Sequence, residues 1–168
     1  KALVREGAKV ALMARTESKL QGLADELKAD GFSDVLVTPA DVLKREQLEA
    51  AKKTINEAWG PIDLLINGAG GNSPKGTTPA EELLGDTDLA DSFFGAQQEG
   101  FEFVFDLNFL GTLLPSQVFG ADMAEKKSGC IINVSSMSAL LPLTKVAAYS
   151  AAKAAVDNFT RWLSVHLA

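Results

Sequence analysis

Residues 44–71 read KREQLEAAKKTINEAWGPIDLLINGAGG, and this stretch decides the fold. Its first half carries apolar side chains on one stripe at helical spacing, at Leu48, Ala51, Ile55 and Ala58. We therefore predict a helix over residues 44–59, which Gly60-Pro61 ends. The apolar run of residues 62–66 predicts a strand that leads into the glycine-rich turn NGAGG. A helix followed by a buried strand is part of a βαβ unit.

The same alternation continues on both sides of this stretch. Short apolar runs predict further strands at residues 9–14, 34–38 and 130–135. Helical spacing predicts helices at residues 16–28, with Thr16 as the cap, at residues 101–124, and from Val146 onward. Residues 71–100 predict a long loop with one helical turn at residues 80–84. Apolar strands alternating with helices indicate a doubly wound, Rossmann-like parallel sheet with helices on both faces, in one α/β domain over residues 1–168.

Composition excludes several functional classes. The chain has 168 residues, 46% hydrophobic and 23% charged, with a net charge of −6. This acidic balance argues against a nucleic-acid partner and against recruitment to an anionic membrane. The single Cys130 and single His166 argue against a disulfide framework, a metal site and a histidine-based triad. The sequence has no apolar run of membrane-spanning length and no signal-peptide pattern, so we expect a cytoplasmic protein.

Both ends of the sequence lie within predicted helices. Residues 2–6 have the character of the last turns of a helix, and Gly7 stands where a helix end favours a left-handed residue. The helix that begins near Val146 continues to Ala168 without a stop signal. A helix without its cap suggests a fragment, so we expect this chain to be the internal part of a longer protein, incomplete at both ends.

Small and polar residues follow each predicted strand, at the sheet edge where doubly wound proteins bind ligands. In chain order they are Ala14 and Arg15, Asp41 and Val42, Asn67, Gly68, Ala69 and Gly70, and Ser136. Small residues let a flat cofactor approach the backbone, Asp41 offers an acceptor to an adenine amino group, and Arg15 offers a partner to a phosphate. Each has a structural alternative: turn glycines, a solvated arginine, and an aspartate that caps the next helix.

A tyrosine and a lysine four residues apart form a sharper signal. Tyr149 and Lys153 fall on one face of the predicted last helix. A cation beside a phenol stabilises the phenolate and makes the phenol a usable proton donor near neutral pH. Ser136 directly follows a strand, where its hydroxyl can meet the same carbonyl oxygen, and Asn108 lies mid-helix, where a buried amide needs hydrogen-bond partners. The alternative is an ordinary tyrosine–lysine pair on a solvated helix face.

Four motifs, in order and spacing, resemble those of the short-chain dehydrogenase/reductase family. DLLINGAG is similar to the family's NNAG strand-end motif, with Gly68 in place of its second asparagine. IINVSS, AYSAAK and the asparagine of DLNFLG match the remaining motifs. The resemblance covers essentially the whole chain. It implies an NAD(P)-dependent oxidoreductase that transfers a hydride between the nicotinamide cofactor and a carbonyl or secondary alcohol.

The resemblance also implies a catalytic tetrad of Asn108, Ser136, Tyr149 and Lys153. Tyr149 would donate a proton to the carbonyl oxygen, and Ser136 would hydrogen-bond the same oxygen. Lys153 would bind the nicotinamide ribose and stabilise the phenolate form of Tyr149. Asn108 would order a water in a proton relay.

Cofactor binding is implied for the strand-end residues, together with two members of the tetrad. The set comprises Ala14, Arg15, Asp41, Val42, Asn67, Gly68, Ala69, Gly70, Tyr149 and Lys153. An acidic residue at the end of the family's second strand would favour NAD, whereas this chain has Ala14 followed by Arg15 there. We therefore expect NADP to be preferred over NAD.

The sequence departs from the family pattern in two places. The family's first strand and its glycine-rich turn would precede Lys1, and its last strands would follow Ala168. The segment between Gly70 and Asn108 is longer than is usual in the family, and INGAGGNSPKGTT with EFVFDLNFLGTLLPSQVF resembles the D-mannonate oxidoreductase, or fructuronate reductase, branch. That branch implies a sugar-acid substrate such as fructuronate or mannonate, for which the candidate contacts are Asn72, Lys75 and Ser136.

Two alternatives stay open: a reductase of an unrelated ketone, and an inactive nucleotide-binding fragment. The family resemblance further implies a small-molecule substrate and a homo-oligomer, commonly a tetramer formed through the helices of Asn108 and Tyr149.

Overall fold

The computed structural model describes residues 1–141 and 143–168, and helices alternate with strands along them. The helices are α1 (Ala2–Arg5), α2 (Glu17–Ala29), α3 (Arg45–Trp59), α4 (Gln98–Phe105), α5 (Gly111–Glu125) and α6 (Ala147–His166). The strands are β1 (Val10–Leu12), β2 (Val35–Val37), β3 (Leu64–Asn67) and β4 (Cys130–Asn133). A π-helical segment, Asp106–Leu110, joins α4 directly to α5. The predicted α/β class is confirmed.

Helix ends differ from the sequence prediction in detail. Thr16 stands at the N-cap of α2, but its side chain makes no capping hydrogen bond. Gly7 follows α1 with a φ of 86°, and its N–H donates to the carbonyl oxygen of Val4 at 3.0 Å, as expected for a helix end. Helix α4 begins at Gln98, slightly earlier than the apolar spacing predicts.

The four strands form two parallel pairs. Strand β1 pairs with β2, with Val10 opposite Val35, and β3 pairs with β4, with Leu64 opposite Cys130. Within residues 1–141 and 143–168, no strand joins the two pairs by hydrogen bonds. The family resemblance predicts a further strand between β1 and β3, so both of these strands have an edge without a ladder partner here.

Helices α3 and α5 form one layer that covers both strand pairs. The main core consists of buried side chains from this layer, from β3 and from the segment after β2, namely Ala40, Leu48, Ala51, Ile55, Leu65, Val118, Phe119 and Met123. Leu36 of β2 and Ile131 of β4 pack against the same cluster. Because each pair contributes to one shared core, the α3–α5 layer joins the pairs that the backbone leaves separate.

Within the described residues, the opposite face of β3 and β4 is open. The apolar side chains on this face are 37–47% exposed; they are Leu64, Ile66, Ile132 and Val134. Successive strand residues point to opposite faces, which is why Leu65, on the side of α5, is buried. The described residues therefore cover one face of this strand pair.

Residues 71–97 form an irregular loop with three short 3₁₀ turns. The turns are Pro74–Gly76, Leu89–Asp91 and Phe93–Gly95, so the predicted helical turn at residues 80–84 is wrong. Each turn begins with a side-chain oxygen that accepts a hydrogen bond from the backbone N–H two residues later; the three residues are Ser73, Asp88 and Ser92. These turns are therefore held by local side-chain-to-backbone hydrogen bonds and not by an apolar face at helical spacing.

Membrane-spanning helices and metal-binding clusters are absent from the described part of the chain. None of its helices combines the length and the apolarity that crossing a bilayer requires. Nor do its His, Cys, Asp and Glu side chains gather in any group of three or more that could hold a metal ion.

Candidate active site

Asn108 is fully buried in the π-helical segment, and its amide holds the glycine turn after β3. Its Nδ2 donates to the carbonyl oxygens of Gly71 and Val104, both at 2.7 Å. Its Oδ1 accepts from the Gly71 N–H at 3.2 Å. One side chain therefore binds both the N–H and the carbonyl oxygen of Gly71. These bonds supply the hydrogen-bond partners that the buried amide of Asn108 was predicted to need.

The hydrogen bonds between Asn108 and Gly71 form a clamp. Gly70 packs against this clamp, at a position with no room for a side chain. A Cβ atom built on Gly70 would stand 2.7 Å from Oδ1 of Asn108 and 3.3 Å from Nζ of Lys153. Real contacts of Cβ atoms are longer, so the turn requires glycine at this position. Gly70, Asn108 and Lys153 therefore meet at the carboxyl end of β3.

Lys153 is a buried cation beside Tyr149. Its side chain is 4% exposed, and its ammonium donates to the carbonyl oxygen of Val134 at 2.7 Å. The Nζ atom lies 5.8 Å from the centroid of the Tyr149 ring. Burial lowers the pKa of Lys153 from its ordinary value, and the charge of Asp157, one turn further along α6, opposes that shift.

Ser136 begins a 3₁₀ turn, Met137–Ala139, directly after the end of β4. Its Oγ accepts a hydrogen bond from the Ser138 N–H at 3.2 Å and a second from the Ser138 hydroxyl at 3.0 Å. The turn packs against α6, the helix that carries Tyr149 and Lys153. The predicted serine is therefore placed beside the helix of the predicted tyrosine and lysine.

Asn67 ties the end of β3 to its neighbours. Its Nδ2 donates to Oγ of Ser116 in α5 and to Oδ1 of Asn133 in β4, both at 2.9 Å. Asn133 in turn donates to Oγ1 of Thr160 in α6 at 2.8 Å. Because both amide protons of Asn67 are used inside the protein, a ligand at this turn meets the backbone of residues 68–70.

The other strand ends contribute differently. Asp41 accepts a hydrogen bond from the Leu43 N–H at 3.0 Å, and its own N–H donates to Gln47 at 2.8 Å, so it also shapes the entry to α3. Val42 packs beside Gly111, where an added Cβ would stand 3.0 Å from Cγ2 of Val42. Ala14 and Arg15 are exposed after β1, and Arg15 forms no ion pair with any residue that the structure describes.

The structure separates the two loop residues predicted to bind substrate. Asn72 lines a shallow groove of about 530 Å³ with Ser73, Pro74, Thr77, Thr78 and Pro79, and its Nδ2 donates to Oγ1 of Thr77 at 3.0 Å. Lys75 is exposed on the 3₁₀ turn and does not line that groove. Of the two, only Asn72 faces this recess.

A family model described as short chain dehydrogenase matches residues 1–168. The chain belongs to the short-chain dehydrogenase family. Among curated relatives of this short-chain dehydrogenase, the uncharacterised oxidoreductase UxuB of Bacillus subtilis is 49% identical over 168 residues. An uncharacterised oxidoreductase of Haemophilus influenzae is 43% identical over 167 residues. The chain covers 99% of its own length in both matches but only 59% and 58% of theirs.

Solved structures show the same fold. A candidate D-mannonate oxidoreductase from Haemophilus, solved with NAD bound, superposes with a TM-score of 0.90 and 42% identity over 98% of this chain and 59% of that one. A gluconate 5-dehydrogenase from Burkholderia cenocepacia, solved with NADP and tartrate, superposes with a TM-score of 0.80 and 26% identity over 98% of this chain and 58% of that one. This short-chain dehydrogenase therefore has the Rossmann-like α/β fold of both.

In this short-chain dehydrogenase, sequence reasoning missed the groups that hold the predicted residues. They are the Gly71 peptide, the Val134 carbonyl and the Ser138 hydroxyl. The first two are backbone atoms, for which a sequence offers no residue-specific signal. Ser138 had one, since serines recur at positions 135, 136 and 138 after a strand.

Proposed function

We propose that the full-length protein carrying this chain is an NAD(P)-dependent oxidoreductase that transfers a hydride between the nicotinamide cofactor and a carbonyl or secondary alcohol. The observation that supports this most strongly is a buried ammonium at the sheet edge: Lys153 is 4% exposed, beside Gly70 and the ring of Tyr149. Burying a cation costs free energy, and buried ionisable groups concentrate at functional sites.

The residues at this edge fit a nicotinamide cofactor. The bare backbone at Gly70 allows a flat ligand to approach the strand end. The ammonium of Lys153 has three donors and gives one to Val134, so two suit the hydroxyls of a ribose. When bound, the cofactor supplies the hydride, and the protein supplies position and electrostatics.

Each tetrad residue has a distinct task in carbonyl reduction. Tyr149 donates the proton that the carbonyl oxygen requires, and the hydroxyl of Ser136 donates a hydrogen bond to the same oxygen, where negative charge develops. The positive charge of Lys153 stabilises the phenolate that remains on Tyr149. The side chain of Asn108 binds the N–H and the carbonyl oxygen of Gly71 and thereby fixes the backbone beside the site, while its expected ordering of a water in a proton relay stays a prediction.

Replacing the proton donor tests this proposal. In the full-length protein, Tyr149→Phe removes the phenolic proton and leaves the ring, so we expect kcat to fall by about 10² to 10⁴. Cofactor affinity, measured by fluorescence titration, should stay within about threefold, because Lys153 and the glycine turn remain. Asn158→Ala, an exposed change on α6, is the control and should leave kcat unchanged. A Tyr149→Phe variant with near wild-type kcat would contradict the assignment.

A panel of neutral ketones and sugar acids, tested as substrates of the full-length protein, separates the two alternatives to this proposal. Turnover of neutral ketones without turnover of sugar acids supports the unrelated ketone reductase. Cofactor binding by the full-length protein with no turnover of any carbonyl or alcohol supports an inactive nucleotide-binding protein.

For the cofactor, we propose that NADP is preferred over NAD. The support is Arg15, exposed directly after β1, where a guanidinium suits a ribose 2′-phosphate and where Ala14 offers no carboxylate for a 2′-hydroxyl. The ratio of kcat/KM for NADP to that for NAD should exceed one, and Arg15→Ala should lower it by about tenfold. A wild-type preference for NAD, the cofactor bound in the Haemophilus relative, would overturn this choice.

For the substrate, we propose a sugar acid of the fructuronate or mannonate type. The support is the name of the Haemophilus relative, together with the hydroxyls and amide of the groove near Asn72 and the cation of Lys75 on the same loop. Lys75→Ala should raise KM for fructuronate by about tenfold, because a charge-assisted bond to its carboxylate is lost. The KM of Lys75→Ala for a neutral ketone should stay unchanged, and so should the KM of the control Lys53→Ala for fructuronate. An unaltered KM of Lys75→Ala for fructuronate would show that Lys75 does not bind the substrate.

For the assembly, we propose a homo-oligomer, a tetramer by family resemblance, formed through α4, α5 and α6. Phe103 of α4, Leu110 at the end of the π-helical segment before α5, and Trp162 of α6 are exposed, and their burial would favour association. Light scattering on the full-length protein should give a multiple of the protomer mass, and a monomer would contradict this assembly.

A further inference from the structure

Ser138 is a buried serine whose only described partner is the predicted catalytic hydroxyl. It lies in the 3₁₀ turn Met137–Ala139 and is 3% exposed. Its hydroxyl donates to Oγ of Ser136 at 3.0 Å, and its backbone N–H donates to the same oxygen at 3.2 Å. One residue therefore supplies two hydrogen bonds to a single oxygen atom.

These two bonds determine what the Ser136 hydroxyl has left to offer. A serine hydroxyl has two acceptor lone pairs and one proton. The Ser138 N–H takes one lone pair, and the Ser138 hydroxyl can donate to the other, which leaves the proton of Ser136 to be donated outward. A hydroxyl that accepts hydrogen bonds also becomes a stronger donor, because the bonds polarise one another in a low-dielectric site.

We propose that Ser138 is a positioning residue for the proposed reaction: its hydroxyl holds Ser136 with the proton turned toward the substrate's carbonyl oxygen. This inference rests on the proposed oxidoreductase function and on the role of Ser136 in it. In this role Ser138 acts through the oxygen of Ser136.

The neighbouring serine supplies a matched control. The oxygen of Ser135 is buried, yet it has no hydrogen-bond partner among the described residues. Ser135→Ala therefore removes a buried hydroxyl from the same segment and leaves both bonds to Ser136 in place. Since an unpaired buried hydroxyl contributes nothing to stability, this variant should keep wild-type kcat and thermal stability.

A double-mutant cycle in the full-length protein tests the inference. Ser138→Ala should lower kcat for carbonyl reduction by about tenfold, the effect of one hydrogen bond, with little change in KM for the cofactor. In a Ser136→Ala background, where the acceptor is absent, the same substitution should change kcat by less than about twofold. A residue with a merely structural role would lower kcat by the same factor in both backgrounds.

Each outcome of the cycle has one meaning. An equal loss in both backgrounds, or no loss from Ser138→Ala alone, overturns the positioning role while Ser136 keeps its own. Wild-type kcat in the single Ser136→Ala variant instead contradicts the proposed function. If Ser138→Ala lowers the melting temperature so far that kcat cannot be measured, Ser138→Cys, which keeps most of the volume but donates weakly, takes its place in the cycle.

Discussion

At the scale of single residues, a close steric constraint at the site lies where Gly70 meets Asn108. A Cβ on Gly70 would stand 2.7 Å from Oδ1 of Asn108, and that oxygen is already bonded to the Gly71 N–H. The amide cannot move away without breaking its bonds to Gly71 and Val104. The position of the Gly70 backbone therefore depends on the buried amide of Asn108 and on the buried ammonium of Lys153.

We expect Gly70→Ala to destabilise the protein. Overpacking of this kind costs about 1 to 3 kcal/mol, which corresponds to a fall of several degrees in melting temperature. Gly68→Ala is the matched comparison, because its Cβ would meet only Cγ2 of Val134 at 3.9 Å, an ordinary contact. Calorimetry of both variants checks this, and equal melting temperatures would show that the clamp yields without cost.

Sequence reasoning reached the chemistry-bearing side chains at this scale but not what surrounds them. Asn108 was singled out because an amide between apolar residues needs partners, and the structure supplies three hydrogen bonds. Which atoms supply them depends on a loop more than thirty residues earlier in the chain. A contact of that kind is set by tertiary packing, which local spacing does not encode.

At the scale of elements, helices α3 and α5 are joined by one carboxylate. Asp122 of α5 bonds to the ammonium of Lys52, and its Oδ2 accepts from Nδ2 of Asn56 at 2.9 Å. These bonds from α3, with the positive charge of Lys126, lower the pKa of Asp122, while burial opposes the shift. Because the pKa is lowered in the folded state, the stabilisation is present above the ordinary value of 3.8 and is lost as the pH falls through the lowered pKa.

We expect Asp122→Ala to lower the free energy of unfolding by about 1 to 3 kcal/mol at pH 7, because Asn56 loses its partner and Lys52 keeps only its bond to the Val118 carbonyl. The difference from the wild type should shrink as the pH falls below that ordinary value. Asp63→Ala is the control: Asp63 also pairs with a lysine, at 2.6 Å, but its side chain is 93% exposed, so its loss should cost under about 1 kcal/mol. Denaturant titrations across pH check both, and a gap that persists in acid would contradict the ionic origin.

Helices were the elements most readily predicted. Their apolar stripes are local and regular, so the prediction for α3 differs from the structure by a single residue at its start. The 3₁₀ turns at Ser73, Asp88 and Ser92 were missed because each depends on one side chain capping one N–H, a signal without periodicity. The π-helical segment was missed because its apolar residues continue the spacing of the flanking helices.

At the scale of the whole molecule, one helical layer holds together two strand pairs that share no backbone hydrogen bond in the described residues. The alternation of apolar strands with helices predicted the class of fold, because this alternation is a property of the sequence. An apolar strand indicates that both faces can be buried but not which segment buries them, so the sequence did not indicate which face the described residues leave open. That open face belongs to β3 and β4 and is defined by Leu64, Ile66, Ile132 and Val134.

That open face predicts how residues 1–168 behave when produced alone. Four adjacent apolar side chains in water, beside strand edges without ladder partners, favour association with other copies. We expect the isolated segment to form soluble aggregates on size-exclusion chromatography, to bind a hydrophobic dye, to unfold without a cooperative transition, and to show no turnover. A net charge of −6 opposes association only weakly at physiological salt.

Replacing Ile66 and Ile132 by lysine should reduce aggregation and dye binding, whereas the same double change at the exposed helix positions Gln21 and Asn158 should not. A cooperative, monomeric melt of the unmodified segment, or measurable turnover by it, would contradict the prediction and show that the α3–α5 layer alone suffices for a stable fold.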